Sequence, residues 1–265
     1  MKYIKGMDFN MRTTNKLLEK IKNKETVYGT WSMTGSTTVV EVLASTGLDY
    51  IILDMEHASM SFETIENQVR VCENSGVQAI VRLSTSDEQL ILRALETGCR
   101  GIMVPHVTTV SDAKRIAKAC KYAPEGKRGL SPYTRNHNFT HENLVESLHE
   151  ENKNTFVGIL VEGKEGISNL EEIVNVDGID LIYTGIYDIS QSIGLAGELN
   201  HPKVLELQKK CVNIIESGNA ISGSFAKDIE YVSILKENGF KFIAFSADGY
   251  MLKKTYEDSI HQLVK

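Results

Sequence analysis

Along most of the chain, short apolar runs alternate with longer stretches in which apolar positions recur every three or four residues. The short runs fall at 28–33, 50–56, 79–84, 101–106, 156–162, 181–188, 220–226 and 242–248. They lack strict in–out alternation, as expected of parallel strands covered on both faces. The stretches between them predict helices at 38–45, 62–74, 88–96, 111–121, 141–151, 166–174, 203–217, 227–238 and 251–263. In the second of these, Phe62, Ile65 and Val69 share one face. Gly47, Gly76, Gly98, Gly218 and Gly239 each close a helical stretch just before a strand, where a left-handed residue without a Cβ is favoured.

Eight strand–helix units predict an α/β domain whose parallel sheet closes into a (β/α)8 barrel, the TIM-barrel architecture. An open doubly wound sheet is the alternative. Closure is favoured because eight units fill the 265 residues and no Gly-rich phosphate turn follows the first strand. Residues 1–25 read as a surface lead-in helix and 26–265 as one barrel domain. The longest connection, 107–155, contains Ala123-Pro124-Glu125-Gly126-Lys127-Arg128-Gly129, and long excursions of this kind often carry function.

Composition changes this picture little. Hydrophobic residues make up 42% and charged residues 24%, ordinary for a globular protein. A net charge of −6 argues against nucleic acid or an anionic membrane as partner. No apolar run approaches the roughly 20 residues needed to span a bilayer, and no secretory signal is evident, so a cytoplasmic protein is expected. Cys72, Cys99, Cys120 and Cys211 are too widely spaced for a zinc site or redox pair and read as reduced, mostly buried thiols.

In such a barrel the chemistry sits at the C-terminal ends of the strands. Polar residues there lie in very apolar segments, where an unpaired charge is costly. Glu162 and Asp188 close neighbouring strands; together they suit Mg²⁺ or Mn²⁺, or else each caps a helix or pairs with Lys164 or Arg82. Asp54 and Glu56 share a strand face, and His57 follows at the lip, where a carboxylate near a histidine suits proton transfer. Arg82 could clamp a carboxylate or stabilise an enolate oxygen, or form an ion pair with Asp54 or Glu56. His106 could also face the site, whereas His137, His141, His149, His201 and His261 read as surface residues and Trp31 as barrel packing. No lysine ends the sixth or seventh strand, which argues against a Schiff-base mechanism.

Six segments in this order resemble the HpcH/HpaI aldolase family, the metal-dependent class II pyruvate aldolases. Asp54-Met55-Glu56-His57 matches its Asp-x-Glu-His, Val81-Arg82 its Val-Arg, and Gly101-Ile102-Met103-Val104-Pro105 its fourth-strand pattern. The loop Pro124–Gly129 matches Pro-x-Gly-x-Arg-Gly. Glu162-Gly163-Lys164-Glu165 resembles Glu-Thr-Arg-Glu, and Gly185-Ile186-Tyr187-Asp188-Ile189-Ser190 resembles Gly-Pro-Ala-Asp-Leu-Ser. The resemblance implies that Glu162 and Asp188 hold a divalent metal (Mg²⁺, Mn²⁺ or Co²⁺) and that Glu56 stands behind it, holding its water. It implies that Arg82 stabilises the enolate of a 2-oxo acid, that the amides of Tyr187 and Asp188 receive its carboxylate, and that Leu160 lines the pocket. His57, oriented by Asp54, is the implied acid/base. The pattern departs at Leu160 (often Gln), Ile186-Tyr187 (usually Pro-Ala), Glu96 (usually Asp) and His106 (often Met).

The implied activity is that of a carbon–carbon lyase acting on pyruvate or a related 2-oxo acid, with an aldehyde as partner. A Claisen-type synthase condensing an acyl thioester with a 2-oxo acid is the alternative, and a non-catalytic barrel subunit a second. The implied assembly is a homo-oligomer, a hexamer or trimer of dimers, exchanging its C-terminal helix between subunits.

Overall fold

The computed structural model describes residues 15–264, so the first 14 residues of the expected lead-in segment lie outside the described residues. Eight strands follow one another in chain order around a closed barrel: β1 (Val27–Ser32), β2 (Tyr50–Asp54), β3 (Gln78–Arg82), β4 (Gly101–Val104), β5 (Phe156–Leu160), β6 (Leu181–Thr184), β7 (Ile221–Ala226) and β8 (Phe242–Ala247). Every neighbouring pair is parallel, and β8 closes on β1 through Val27↔Phe242 and Tyr28↔Ile243. The helices are α1 (Lys16–Lys22), α2 (Thr37–Ala44), α3 (Phe62–Ser75), α4 (Glu88–Glu96), α5 (Val110–Cys120), α6 (Leu144–Asn154), α7 (Lys164–Ser168), α8 (Leu170–Ile173), α9 (Ile186–Ser192), α10 (Pro202–Ile215), α11 (Ile229–Glu237) and α12 (Asp248–Leu263). Ser36, Ser61, Asp87, Thr109 and Asp228 start their helices by accepting a backbone N–H in the first turn.

The period of two along a strand divides each stave between two cores. Ile51, Leu53, Ala79, Val81, Ile102, Val104, Val157 and Ile159 face outward into the layer shared with the helices. Tyr50, Ile52, Ile80, Met103, Phe156, Leu160, Leu181, Tyr183 and Phe242 fill the barrel interior. The interior is strongly aromatic: Tyr50 stacks on Phe242 with ring centroids 3.9 Å apart. Gly29 makes room for that stack, since a Cβ there would lie 2.2 Å from Tyr50 Cε2.

The structure corrects several expectations. The described part of the lead-in helix is not wholly a surface element: Lys16, Glu19 and Lys22 of α1 are exposed, but Leu17, Leu18 and Ile21 are buried in the interior cluster. The sixth strand stops at Thr184, and α9 occupies the residues read as its continuation. The helix expected at 166–174 is two short ones meeting at Asn169. Four of the five helix-closing glycines have positive φ; Gly218 does not, and serves packing instead, since a Cβ there would meet Val174 Cγ2 at 2.3 Å. His137 is buried, its ring between Tyr122 Oη and Ser147 Oγ. The four cysteines are free and buried, as expected.

Candidate active site

The strand period that fills the barrel also delivers the site. Asp54 and Arg82 end β2 and β3 in register, in phase with inward Ile52 and Ile80. Glu162 lies two residues past inward Leu160 and keeps the same direction. Asp188 arrives differently: Gly185 turns the chain after β6 and α9 begins at once, placing Asp188 in its first turn.

Arg82 is the centre of an ionic network. Its Nε and Nη2 donate to Asp54 Oδ1 and Oδ2 at 2.9 and 2.5 Å, and Nη1 lies 3.1 Å from Glu56 Oε2. The guanidinium sits 4.3 Å over the Trp31 ring, whose Nε1 donates to Tyr183 Oη at 3.3 Å. Arg82 is 8% exposed and Asp54 fully buried, so the fork is held in place by its carboxylate partners. Asp54 Oδ1 also accepts the backbone N–H groups of Glu56 and His57.

Glu162 and Asp188 converge over Gly185. A Cβ on that glycine would lie 2.9 Å from Glu162 Oε2 and 3.1 Å from Asp188 Oδ2. Burial, then the neighbouring Asp188 charge, push the Glu162 carboxyl above its ordinary range. Two hard oxygen donors facing one space, each electrostatically unfavourable to the other, fit a divalent cation such as Mg²⁺, which commonly takes only one or two protein carboxylates. Among the described residues, no group of three or more His, Cys, Asp or Glu is placed to hold a metal ion.

The expected residues are mostly brought together, with differences of detail. Asp54 holds the His57 backbone and not its ring; the ring is exposed at the lip and makes no hydrogen bond among the described residues. Glu56 is engaged by Arg82 and by His106, whose Nε2 lies 3.0 Å from Glu56 Oε1. Leu160 is buried beneath the mouth, and Tyr187 is half exposed with its ring 5.8 Å from that of Phe225. Lys164 is exposed and Lys227 pairs with Asp228 at 3.7 Å. The Pro-x-Gly-x-Arg-Gly loop is structural: Arg128 is buried, paired with Glu96 at 2.9 Å and 4.4 Å over the Tyr122 ring.

Two supports escaped sequence reasoning. Trp31, read as packing, is also the platform under Arg82; its inward phase on β1 was the available signal. Asp248 is buried and accepts from Ser32 Oγ, Met33 N, Thr34 N and Thr34 Oγ1 at 2.8–3.2 Å, tying the β1 exit to the start of α12. Nothing in the sequence pairs residues so far apart.

Residues 28–254 match the family model described as HpcH/HpaI aldolase/citrate lyase. The chain belongs to this family. Membership makes it a carbon–carbon lyase. A hydroxypyruvate/pyruvate aldolase from Roseobacter denitrificans is 27% identical over 241 residues, 91% of this chain and 94% of the relative. A 5-keto-4-deoxy-D-glucarate aldolase from Enterobacter sp. is 31% identical over 206 residues, 78% of each chain. The solved HpcH/HpaI aldolase from Desulfitobacterium hafniense superposes with a TM-score of 0.88 at 28% identity, covering 93% of this chain and 96% of that one. No helix among the described residues is long and apolar enough to cross a membrane.

Proposed function

We propose that the protein is a divalent-metal-dependent aldolase that forms or cleaves the bond between the methyl carbon of pyruvate, or a related 2-oxo acid, and an aldehyde. The observation that carries this reading is the convergence of Glu162 Oε2 and Asp188 Oδ2 over Gly185, beside a buried arginine fork. The names of the relatives, aldolases of hydroxypyruvate, pyruvate and keto-deoxy sugar acids, support the substrate class.

Glu162 and Asp188 are the residues that hold the cation, Mg²⁺, Mn²⁺ or Co²⁺. When bound, it supplies positive charge against which an enolate can form. Arg82 directs its N–H groups at the enolate oxygen, and Asp54, Glu56 and Trp31 keep it from moving. The N–H groups of Tyr187 and Asp188, in the first turn of α9 and so without helical partners, receive the substrate carboxylate. Leu160 forms an apolar floor that excludes water beneath the reacting carbon. His57 stands at the lip with a free ring and serves as the acid/base: in the aldol direction it takes the proton lost from the methyl carbon and returns a proton to the aldehyde-derived hydroxyl, and in cleavage the reverse.

The reading includes a cytoplasmic homo-oligomer. Leu252, Tyr256, Ile260 and Leu263 are exposed along α12, spaced so that the first three share one face, and this face supports docking or exchange of α12 against another copy.

Product analysis tests the reaction. Purified protein with Mg²⁺ or Mn²⁺, pyruvate and a short aldehyde is expected to yield a 4-hydroxy-2-oxo acid. Borohydride added during turnover should trap no lysine adduct. Product that forms from oxaloacetate only when acetyl-CoA is present would replace the aldolase by a Claisen-type synthase, and a trapped lysine would remove the cation from the mechanism.

A further inference from the structure

β4 ends at Val104, and Pro105 and His106 carry the chain over the lip of the barrel. His106 has φ +58, in the left-handed region that a residue with a Cβ keeps only where its surroundings hold it. The holding contacts are visible. Its backbone N–H donates to Glu162 Oε1 at 3.1 Å, and the next N–H, of Val107, donates to the Leu160 carbonyl at 3.0 Å. Its ring places Nδ1 2.8 Å from the same Glu162 Oε1 and Nε2 3.0 Å from Glu56 Oε1. The ring therefore lies as a strap across the mouth: the His106 side chain is 66% exposed, while the Glu56 and Glu162 side chains beneath it are only 12% and 11% exposed.

This arrangement divides the work of Glu162. Oε1 is taken twice by His106, from backbone and ring; Oε2 is left facing Asp188 Oδ2 across Gly185. The terminal torsion of a glutamate is broad and roughly two-fold when free, and two contacts on one oxygen remove that freedom. Through Nε2 the same ring reaches Glu56, which pairs with Arg82, which pairs with Asp54. One unbroken chain of contacts thus joins the proposed cation carboxylate to the arginine that meets the enolate.

We propose that His106 is a positioning residue that orients Glu162, presenting Oε2 to the divalent cation and fixing the cation site relative to Arg82. The inference rests on the reading of Glu162 and Asp188 as the cation carboxylates. Outer partners that orient a ligating side chain are worth on the order of 10–100-fold in metal affinity.

The test is Mn²⁺ binding to the metal-free, full-length protein without substrate, with free Mn²⁺ read by electron paramagnetic resonance. H106G removes the ring but keeps the left-handed backbone and its N–H. It should weaken Mn²⁺ binding about tenfold or more, with the melting temperature of the metal-free protein no lower than wild type. H106N tolerates the same backbone and offers an amide N–H near the position of Nδ1; it should restore affinity to within about threefold of wild type, a small part of the effect expected of a lost orienting partner. Wild-type affinity in H106G, or affinity in H106N as poor as in H106G, overturns the role of His106. E162Q separates the two readings: Mn²⁺ bound as tightly by E162Q as by wild type, or not bound by wild type at all, overturns the cation site itself and this inference with it.

Discussion

Arg82 is held by Asp54 through two nitrogens, by Glu56 through the third and by the Trp31 face below. A residue so fixed offers donors that need no reorganisation as charge develops on an enolate, which is where preorganised hydrogen bonds contribute most. Arg82→Ala should therefore lower kcat about 10²-fold or more, read by steady-state kinetics with saturating metal; near-normal turnover would remove Arg82 from the reaction. At this scale much was legible beforehand. Asp54, Arg82 and Glu162 are charges in apolar runs at strand ends, and such charges have partners. The alternatives once open for Arg82 are not exclusive: it forms the ion pairs and, on the proposed reading, also meets the enolate. What was not legible is which partner each side chain takes. Asp54 turned out to serve the His57 backbone rather than its ring, and the reach of His106 depends on a positive φ that no periodicity encodes.

Among elements, the junction of β6 and α9 decides the site. The apolar run Leu181-Ile182-Tyr183-Thr184-Gly185-Ile186-Tyr187 reads as one strand because strand and buried helix start share the same apolar character. The register ends at Thr184, where the last β6–β7 pair forms, and the helix that follows carries Asp188 back toward Glu162. Gly185 is the pivot, and its lack of a side chain is the space into which both carboxylates point. Gly185→Ala should reduce Mn²⁺ affinity by about tenfold or more, the range seen when ligand placement is disturbed, with little change in melting temperature. Equal affinity in the two proteins would show that the carboxylates do not meet there. The misreading of α1 has a related cause. A seven-residue helix rich in lysine looks like surface, but Leu17, Leu18 and Ile21 fall on one stripe and seal the interior cluster.

At the scale of the whole molecule, the eight repeated units were enough to give a closed barrel, because parallel strands covered by helices on every connection leave few other solutions. Assembly was less legible, since an interface pattern resembles a core pattern until the partner is known. The apolar face of α12 is exposed among the described residues. Light scattering should give a mass that is a multiple of the single chain, and L252E/I260E should shift it to a smaller species; a wild-type monomer would contradict the proposed assembly. On the proposed reading, the barrel, the two carboxylates and the arginine fork all serve one event, loss of a proton from the methyl group of a 2-oxo acid. The most direct measurement is exchange of the pyruvate methyl protons for deuterium in D₂O, followed by NMR with and without Mg²⁺. The account predicts exchange in the wild-type protein with Mg²⁺, and none beyond background after chelation or in E162Q; exchange that survives either change would contradict it.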